Sequence, residues 1–320
     1  MNTPQLHRLF QWDSASLAAE AAAGLLAPAA NSHPKFFYDA LGSHLFDAIT
    51  ELDEYDLRRT EAEALALHRT AIGARLRECL PPRPTLIDLG AGNCAKGEAL
   101  FAWLDPGRYV AVDISVDFLR DSLACLQRAH PAREMVGVGL DFSSELALPE
   151  TLTTPGSLVY YPGSSIGNYG PDAALRFLAQ ARTLSRGGAL LIGVDLLKPA
   201  AELEAAYDDA LGVTAAFNKN LLRRLNALLQ ADFQPAQWRH LAVWDAALQR
   251  VEMHLEAREA LVVRWPGAER AFAAGERIHT ECAYKWTPEG FAELLRRAGW
   301  HEVQSWTDAR ARFAVVLASG

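Results

Sequence analysis

An open α/β fold, a doubly wound and mostly parallel sheet with a second domain inserted into it, is what this chain predicts, and three features carry the prediction. From Thr85 onward, short apolar runs alternate with amphipathic ones, the rhythm of strand–helix–strand units. Two apolar runs end in glycine turns, Leu86-Ile-Asp-Leu-Gly-Ala-Gly92 and Leu158-Val-Tyr-Tyr-Pro-Gly-Ser-Ser-Ile-Gly-Asn168. Ligands of such sheets bind beyond the carboxyl ends of the strands, so one turn suits a cofactor and the other a substrate. The rhythm breaks after Lys198-Pro199 and resumes at Thr287-Pro288, which marks the insertion.

Taken in order, Ser14 or Ser16 caps a helix reaching about Leu26, where Pro28, Asn31, Ser32 and Pro34 break the pattern. Residues 35–58 are rich in aromatic side chains but weakly periodic, which suits a segment covering a pocket. Thr60–Leu80 reads as one helix, with Thr60 and Glu63 at capping-box spacing. Strand Thr85–Leu89, helix Lys96–Leu104, strand Tyr109–Asp113 and helix Val116–Ala129 follow. Met135–Leu140 and Leu158–Tyr161 are short apolar runs of the kind found in buried parallel strands. Helix Pro171–Leu184 starts behind Gly170 and stops at Gly187-Gly188, and Ala189–Asp195 supplies the next strand.

Within the insertion, Ala201–Leu229 is helical, while Trp238–Val263 alternates as strands with Val251, Met253 and Leu255 on one face. The repeat resumes with a helix from Thr287-Pro288 to Gly299 and two strands, His301–Thr307 and Phe313–Ala318. The expected division is an α/β domain of 61–195 plus 287–320, with helix 14–26 free to pack on it. Its partner is an α+β domain of 30–60 plus 196–286.

Of the 320 residues half are apolar and 22% charged, ordinary for a soluble globular protein. A formal charge of −8 argues against nucleic acid, whose binding depends on clustered Lys and Arg. Cys79, Cys94, Cys125 and Cys282 form no CxxC pair, so neither a zinc site nor a disulfide framework is indicated, and a reducing cytoplasm fits. The Ala-rich stretch Leu17 to Ala30 is interrupted by Glu20 and opened by no basic cluster, unlike a signal peptide. No apolar run is long enough for a membrane span. HExxH, Walker and GxSxG motifs are absent and the histidines are dispersed, so no metal is expected. A monomer acting on a small molecule is the expectation.

Gly90 and Gly92 stand between a strand and a helix, where glycine permits a tight turn and close approach of backbone to ligand. Ala95 occupies the third glycine position of a dinucleotide fingerprint. A lone Gly-x-Gly turn is about as often mere punctuation, but Asp113 ends the second strand, where an acid can accept both hydroxyls of a ribose. Asp141-Phe142 follows the third strand and can hold an adenine, although Asp141 serves nearly as well as a turn cap. Acidic strand ends and few basic residues suit S-adenosylmethionine, a cation, better than the pyrophosphate of NAD. Methyl transfer from a sulfonium also needs little protein machinery beyond alignment and exclusion of water.

Further strings join these: Phe37-Tyr38-Asp39, Gly42-Ser43, Leu45-Phe46-Asp47, Glu54-Tyr55, Arg59-Thr60-Glu61, Gly163 to Asn168, Ala206-Tyr207-Asp208-Asp209, Gly212 to Asn218, Glu252-Met253 and Thr280-Glu281. From about residue 36 to the C-terminus the chain resembles the S-adenosylmethionine-dependent L-histidine Nα-methyltransferases, which make trimethylhistidine (hercynine) for ergothioneine biosynthesis. The resemblance implies a class I methyltransferase fold, Rossmann-like, with an inserted α+β substrate-binding domain. It implies that Gly90, Gly92, Lys96, Asp113, Asp141 and Phe142 hold the cofactor, with Lys96 meeting its carboxylate. It further implies that Tyr38, Tyr55, Asn168 and Tyr207 hold the substrate backbone and Glu281 the imidazole, while Phe46, Gly163, Thr214 and Met253 line the pocket. Tyr38, Tyr55 and Asn168 are the catalytic candidates on this reading.

Without the resemblance, Glu281 would be read as a solvated strand residue, the tyrosines as core or rim aromatics, and Asn168 as a turn residue. The implied roles are chemically coherent. An amine loses N–H donors as methyl groups arrive, so a single side-chain amide can orient it without committing to an ammonium. Glu281, accepting an imidazole N–H, separates histidine from phenylalanine, since an unpaired buried acceptor costs roughly 1 to 3 kcal/mol.

Two departures from the family are visible. A Ser usually stands two residues after that Glu as a second partner for the ring, and here the position is Ala283. Water or another residue replaces it, histidine binds more weakly, or the substrate is another aromatic amino acid. The cofactor loop reads Gly92-Asn93-Cys94 where Thr- and Ser-like residues are common. A non-catalytic S-adenosylmethionine sensor is the alternative from a different class.

Overall fold

The computed structural model describes residues 3–9, 14–143 and 145–320. The chain opens with strand β1 (Gln5–Arg8) and helices α1 (Ser14–Leu26), α2 (Ala40–Ile49), α3 (Leu57–Leu67) and α4 (Arg69–Cys79). The repeat is β2 (Thr85–Leu89), α5 (Ala95–Ala99), α6 (Phe101–Leu104), β3 (Arg108–Asp113), α7 (Val116–Ala129), β4 (Glu134–Gly139), β5 (Leu158–Tyr161), α8 (Pro171–Ser185) and β6 (Ala189–Asp195). Then come α9 (Ala200–Tyr207), α10 (Val213–Leu229), β7 (Trp238–Asp245), β8 (Arg250–Ala257), β9 (Leu261–Trp265), β10 (Ala268–Phe272) and β11 (Arg277–Tyr284). Helix α11 (Pro288–Arg297) and strands β12 (Glu302–Thr307) and β13 (Phe313–Ser319) close the chain. Two compact units result: Met1–Gln11 with Arg59–Leu197 and Trp286–Gly320, and Trp12–Arg58 with Lys198–Lys285.

The first unit is the doubly wound α/β body. Its eight strands run in the order β1-β4-β3-β2-β5-β6-β13-β12, parallel from β1 to β6, with β13 antiparallel to both its neighbours. Strand order proceeds one way from β2 and the other way from β5, so the switch point lies between the two glycine turns. β2, β5, β6 and β13 are buried along their whole length, which is why their sequences are mostly apolar rather than alternating, with Asp88 the polar exception inside β2. Phe177, Leu178, Phe291, Leu295 and Trp300 belong to the core cluster beneath helices α8 and α11.

Three elements of this unit depart from the sequence expectation. The single helix over Thr60–Leu80 is two, α3 and α4, and Thr60 lies inside α3 rather than at its cap. The break is at His68, whose Nε2 donates to the carbonyl of Thr307 at 3.0 Å, a partner 239 residues away. Helix Lys96–Leu104 is likewise divided, into α5 and α6. β1 had no apolar signal because it is an edge strand with mostly exposed side chains, paired in parallel with β4.

The second unit joins a three-stranded antiparallel sheet, β11-β8-β7, and the hairpin β9–β10 to helices α1, α2, α9 and α10. Helix α1 falls in this unit and packs on α10, whereas the sequence had offered it to the α/β domain. The expected long helix over Ala201–Leu229 is interrupted between α9 and α10, where Asp209 accepts the backbone N–H groups of Val213 (2.9 Å) and Thr214 (2.7 Å). Weak periodicity over 35–58 concealed α2, whose cap is Asp39 accepting from Gly42 N–H at 2.7 Å. Among the described residues no helix is long and apolar enough to cross a membrane.

Candidate active site

In the first unit the turn after β2 is pinned to the end of β3. Gly90 and Gly92 take φ of +68° and +52°, a region that penalises any side chain. A Cβ at Gly90 would meet nothing within 4 Å, so open space lies beside the turn. Gly90 and Ala91 donate to the carbonyl of Val112, and Asp113 accepts from Gly92 N–H (2.9 Å) and Ser115 N–H (2.8 Å). Burial pushes the Asp113 carboxyl up while those backbone donors pull it down. Each of its oxygens keeps further lone-pair capacity. Gly90, Gly92 and Asp113 are therefore assembled as one acidic cradle, of a chemistry that fits a cationic nucleoside.

The missing third glycine has a functional equivalent. A Cβ at Gly97 would collide with the Asp88 carboxylate and the Tyr109 hydroxyl, so glycine is what lets α5 lie against the sheet. Tyr109 donates to Asp88 at 2.7 Å, and burial pushes Asp88 up to about 7 despite that bond and the pull of Lys96. Gly97→Ala is expected to lower the melting temperature, since overpacking costs roughly 1–3 kcal/mol, and to weaken S-adenosylmethionine binding. Thermal melts with and without the methyl donor check this, and an unchanged pair of melts contradicts it.

Lys96 is held in a way the sequence did not reveal. Its Nζ donates to Glu61 Oε2 at 2.5 Å, and Glu61 Oε1 accepts from Gly163 N–H at 2.8 Å. Glu61 is 2% exposed, so one buried carboxylate from α3 ties the turn after β2 to the turn after β5. The latter turn needs Gly163 at φ +77° and Ser164 at +60°, and a short 3-10 turn, Ser165–Asn168, ends on Asn168. Asn168 is partly buried, and its amide makes no hydrogen bond among the described residues. Asp141 takes the turn-capping role, accepting from the backbone N–H (3.1 Å) and hydroxyl (2.5 Å) of Ser143. Phe142 packs edge-on to Tyr161 at 5.9 Å.

In the second unit the aromatic residues singled out in the sequence form one chain of rings. Tyr38 meets Phe46 (5.8 Å), Phe46 meets Tyr55 (6.4 Å) and Tyr55 meets Tyr207 (6.0 Å), each edge to face. Phe217, which the sequence reading did not single out, joins Phe37, Tyr38 and Phe46 at its hub. It sits on α10 one turn beyond Thr214, whose backbone N–H Asp209 caps.

A β-bulge aims Glu281. β11 pairs His279 with His254 but then Glu281 with Met253, leaving Thr280 as the extra residue, its hydroxyl donating to the Met253 carbonyl at 3.0 Å. In unbroken register Glu281 would oppose Glu252 on the other face, among Arg250, His254 and His279. With the bulge it shares a face with Met253 and Ala283, which are 2% and 4% exposed. Among the described residues no hydrogen bond reaches the Glu281 carboxyl. Burial pushes it up to about 7, with Lys285 pulling the other way. The carboxyl keeps its acceptor capacity for an N–H donor.

The histidine-specific, S-adenosylmethionine-dependent methyltransferase family model matches residues 17–320. The chain is 39% identical over 316 residues to a histidine N-alpha-methyltransferase of Mycolicibacterium smegmatis, covering 96% of each chain. It is 37% identical over 293 residues to the Mycobacterium tuberculosis protein of that name, covering 89% of each. Ergothioneine biosynthesis protein 1 of Neurospora crassa is 29% identical over 281 residues, 84% of this chain and 31% of the fungal one.

Proposed function

Since the chain belongs to the histidine-specific, S-adenosylmethionine-dependent methyltransferase family, we infer which of its residues perform the family's reaction. The chain is a class I S-adenosylmethionine-dependent N-methyltransferase that carries the α-amine of L-histidine to the trimethylated product, the methylation of ergothioneine biosynthesis. S-adenosylmethionine supplies an already activated methyl group when bound. Gly90, Gly92 and Asp113 bind its nucleoside, Asp141 and Phe142 its adenine, and Lys96, oriented by Glu61, its carboxylate. The acidic cradle around Asp113 and the open space beside Gly90 support this assignment.

On the substrate side, Asn168 orients the amine from the turn that Gly163 permits, while Tyr38, Tyr55 and Tyr207 hold the backbone and Phe46, Thr214 and Met253 line the side chain's surroundings. Glu281 accepts the imidazole N–H beside Ala283. The observation that carries the reading is the bulge, because it costs β11 a ladder pairing and turns a carboxyl to the face of Met253 and Ala283, where it can accept from a donor ligand. Residues 61–195 plus 287–320 are proposed as the cofactor domain and 30–60 plus 196–286 as the substrate domain, of a cytoplasmic monomer.

Incubation with S-adenosylmethionine and L-histidine is expected to add three methyl groups to histidine by mass spectrometry. No gain on histidine sinks the assignment. Because Ala283 replaces the usual hydroxyl, the same reaction run with tryptophan and tyrosine in competition decides whether the amino acid is a different aromatic one, judged by relative kcat/KM.

A further inference from the structure

We propose that Asn220 is a positioning residue for substrate recognition: by donating to Asp39, it anchors the start of α2 and so holds the aromatic wall of Tyr38 and Phe46 in its binding position. The proposal rests on the reading of those two rings as parts of the substrate pocket. Asn220 lies on α10, is 3% exposed, and has its Nδ2 2.9 Å from Asp39 Oδ1. The same oxygen accepts from Gly42 N–H at 2.7 Å, so one carboxylate both caps α2 and ties it to α10.

An ionised carboxylate only accepts, so the amide nitrogen of Asn220, not its oxygen, must face Asp39. Arg223, one turn further along α10, reaches Asn220 Oδ1 at 3.5 Å, which agrees with that orientation. Phe217, one turn before, stacks on Phe37 at 4.6 Å and meets Tyr38 edge-on at 5.9 Å. Residues 217 and 220 are neighbours on one helix face, so α10 grips Phe37, Tyr38 and Asp39 with a ring and an amide side by side. The gripped segment is tightly seated. A Cβ at Gly42 would collide with the Phe37 carbonyl, so the first turn of α2 lies directly on the backbone that precedes it.

Tyr38 and Phe46 are only partly buried, although the Phe217 ring they both pack on is 2% exposed, so each has a packed side and an open one. Where the open sides lie depends on α2, because Tyr38 immediately precedes its cap and Phe46 sits on its second turn. A substrate that needs this wall finds full affinity only in the fraction of molecules with α2 seated, and loss of the anchor lowers that fraction. Binding then weakens while the saturated rate holds, since bound substrate reseats the wall. Asparagine is a mediocre helix former, and a buried amide needs a partner. Nothing in the sequence singled out Asn220, because that partner is 181 residues away.

The test compares wild type, Asn220→Asp, Asp39→Asn and the double variant at saturating methyl donor, with thermal melts to establish folding. Asn220→Asp sets a second carboxylate against Asp39 and is expected to raise KM for histidine about tenfold or more, with kcat changed by less than about threefold. Asp39→Asn keeps an oxygen that can accept from both Gly42 and Asn220, so its loss should be smaller. In the double variant amide and carboxylate exchange places, and KM should return to within about threefold of wild type, a rescue that additive losses cannot give. Affinity for S-adenosylmethionine should hold throughout, because the residues assigned to it lie in the first unit. An unchanged KM in folded Asn220→Asp, equal weakening of histidine and methyl donor, or a double variant no better than Asn220→Asp overturns the proposal. If Asn220→Asp does not fold, Asn220→Ala, which removes the donor without adding a charge, supplies the KM, and rescue is still read from the double variant. A wild-type protein inactive on histidine would overturn the functional reading, whereas an active wild type with any of those three outcomes overturns only the role of Asn220.

Discussion

Replacing Glu281 by alanine is expected to reduce the preference for histidine over phenylalanine by between one and two orders of magnitude in kcat/KM, the roughly 1–3 kcal/mol of a lost buried hydrogen bond. Affinity for S-adenosylmethionine should be nearly unchanged, because the residues assigned to it lie in the first unit and Glu281 in the second. Equal loss of both affinities would contradict the role given to Glu281. Without ligand, this acid is also a pH-dependent liability. Its folded value, about 7, stands above the ordinary 4.5, so the folded chain binds more protons than the unfolded one between those values. Stability from this group is fully present below about pH 4.5 and is lost as pH rises through 7, on the order of 3 kcal/mol. Asp88 shifts in the same direction. Asp113 does so too, and Glu281→Gln removes one of these contributions, so its melting temperature relative to wild type should climb between pH 5 and 8. A difference flat across that range would show that the carboxyl is not held protonated.

The bulge that creates this liability also marks the limit of what the sequence reveals. Strand periodicity is legible in Val251, Met253 and Leu255, but which face Glu281 joins depends on one extra residue, Thr280, and a slip of one residue exchanges faces. The parallel strands were legible because complete burial makes them predominantly apolar. β1 was not, since an edge strand with exposed side chains has no such pattern. The division of Thr60–Leu80 at His68 has no local signal in the sequence, and the ring there bonds Thr307, distant along the chain. Composition and spacing alone suggested Gly90, Gly92 and Asp113, which the fold does join. The tyrosines and Asn168 had ordinary structural explanations until the family strings singled them out. Gly97, Phe217 and Asn220 show the converse, since each acts by fitting or supporting another residue and has no motif of its own.

Glu61 belongs with those supporting residues, and its removal should have the widest consequences. Its two oxygens serve different turns, one the Lys96 ammonium and the other the Gly163 N–H. Glu61→Gln is nearly isosteric and can still accept from Gly163, but its amide nitrogen then meets Lys96 as donor against donor. Breaking a buried pair by removing one partner typically costs about 3–5 kcal/mol, and because the Lys96 side chain is 41% exposed the expected loss is nearer 1–3. Lys96 loses the partner that orients it, so affinity for S-adenosylmethionine should fall about 10- to 100-fold, the scale of a misplaced binding group. Glu61→Ala also releases the Gly163 N–H, and with it the turn that ends on Asn168, so kcat should fall further than in Glu61→Gln. Calorimetric titration of the methyl donor into both variants, with kcat measured at saturation, separates the two effects. Unaltered affinity in Glu61→Gln would mean that Lys96 does not need Glu61 to meet the cofactor, and equal kcat in the two variants would mean that the Gly163 contact does not position Asn168.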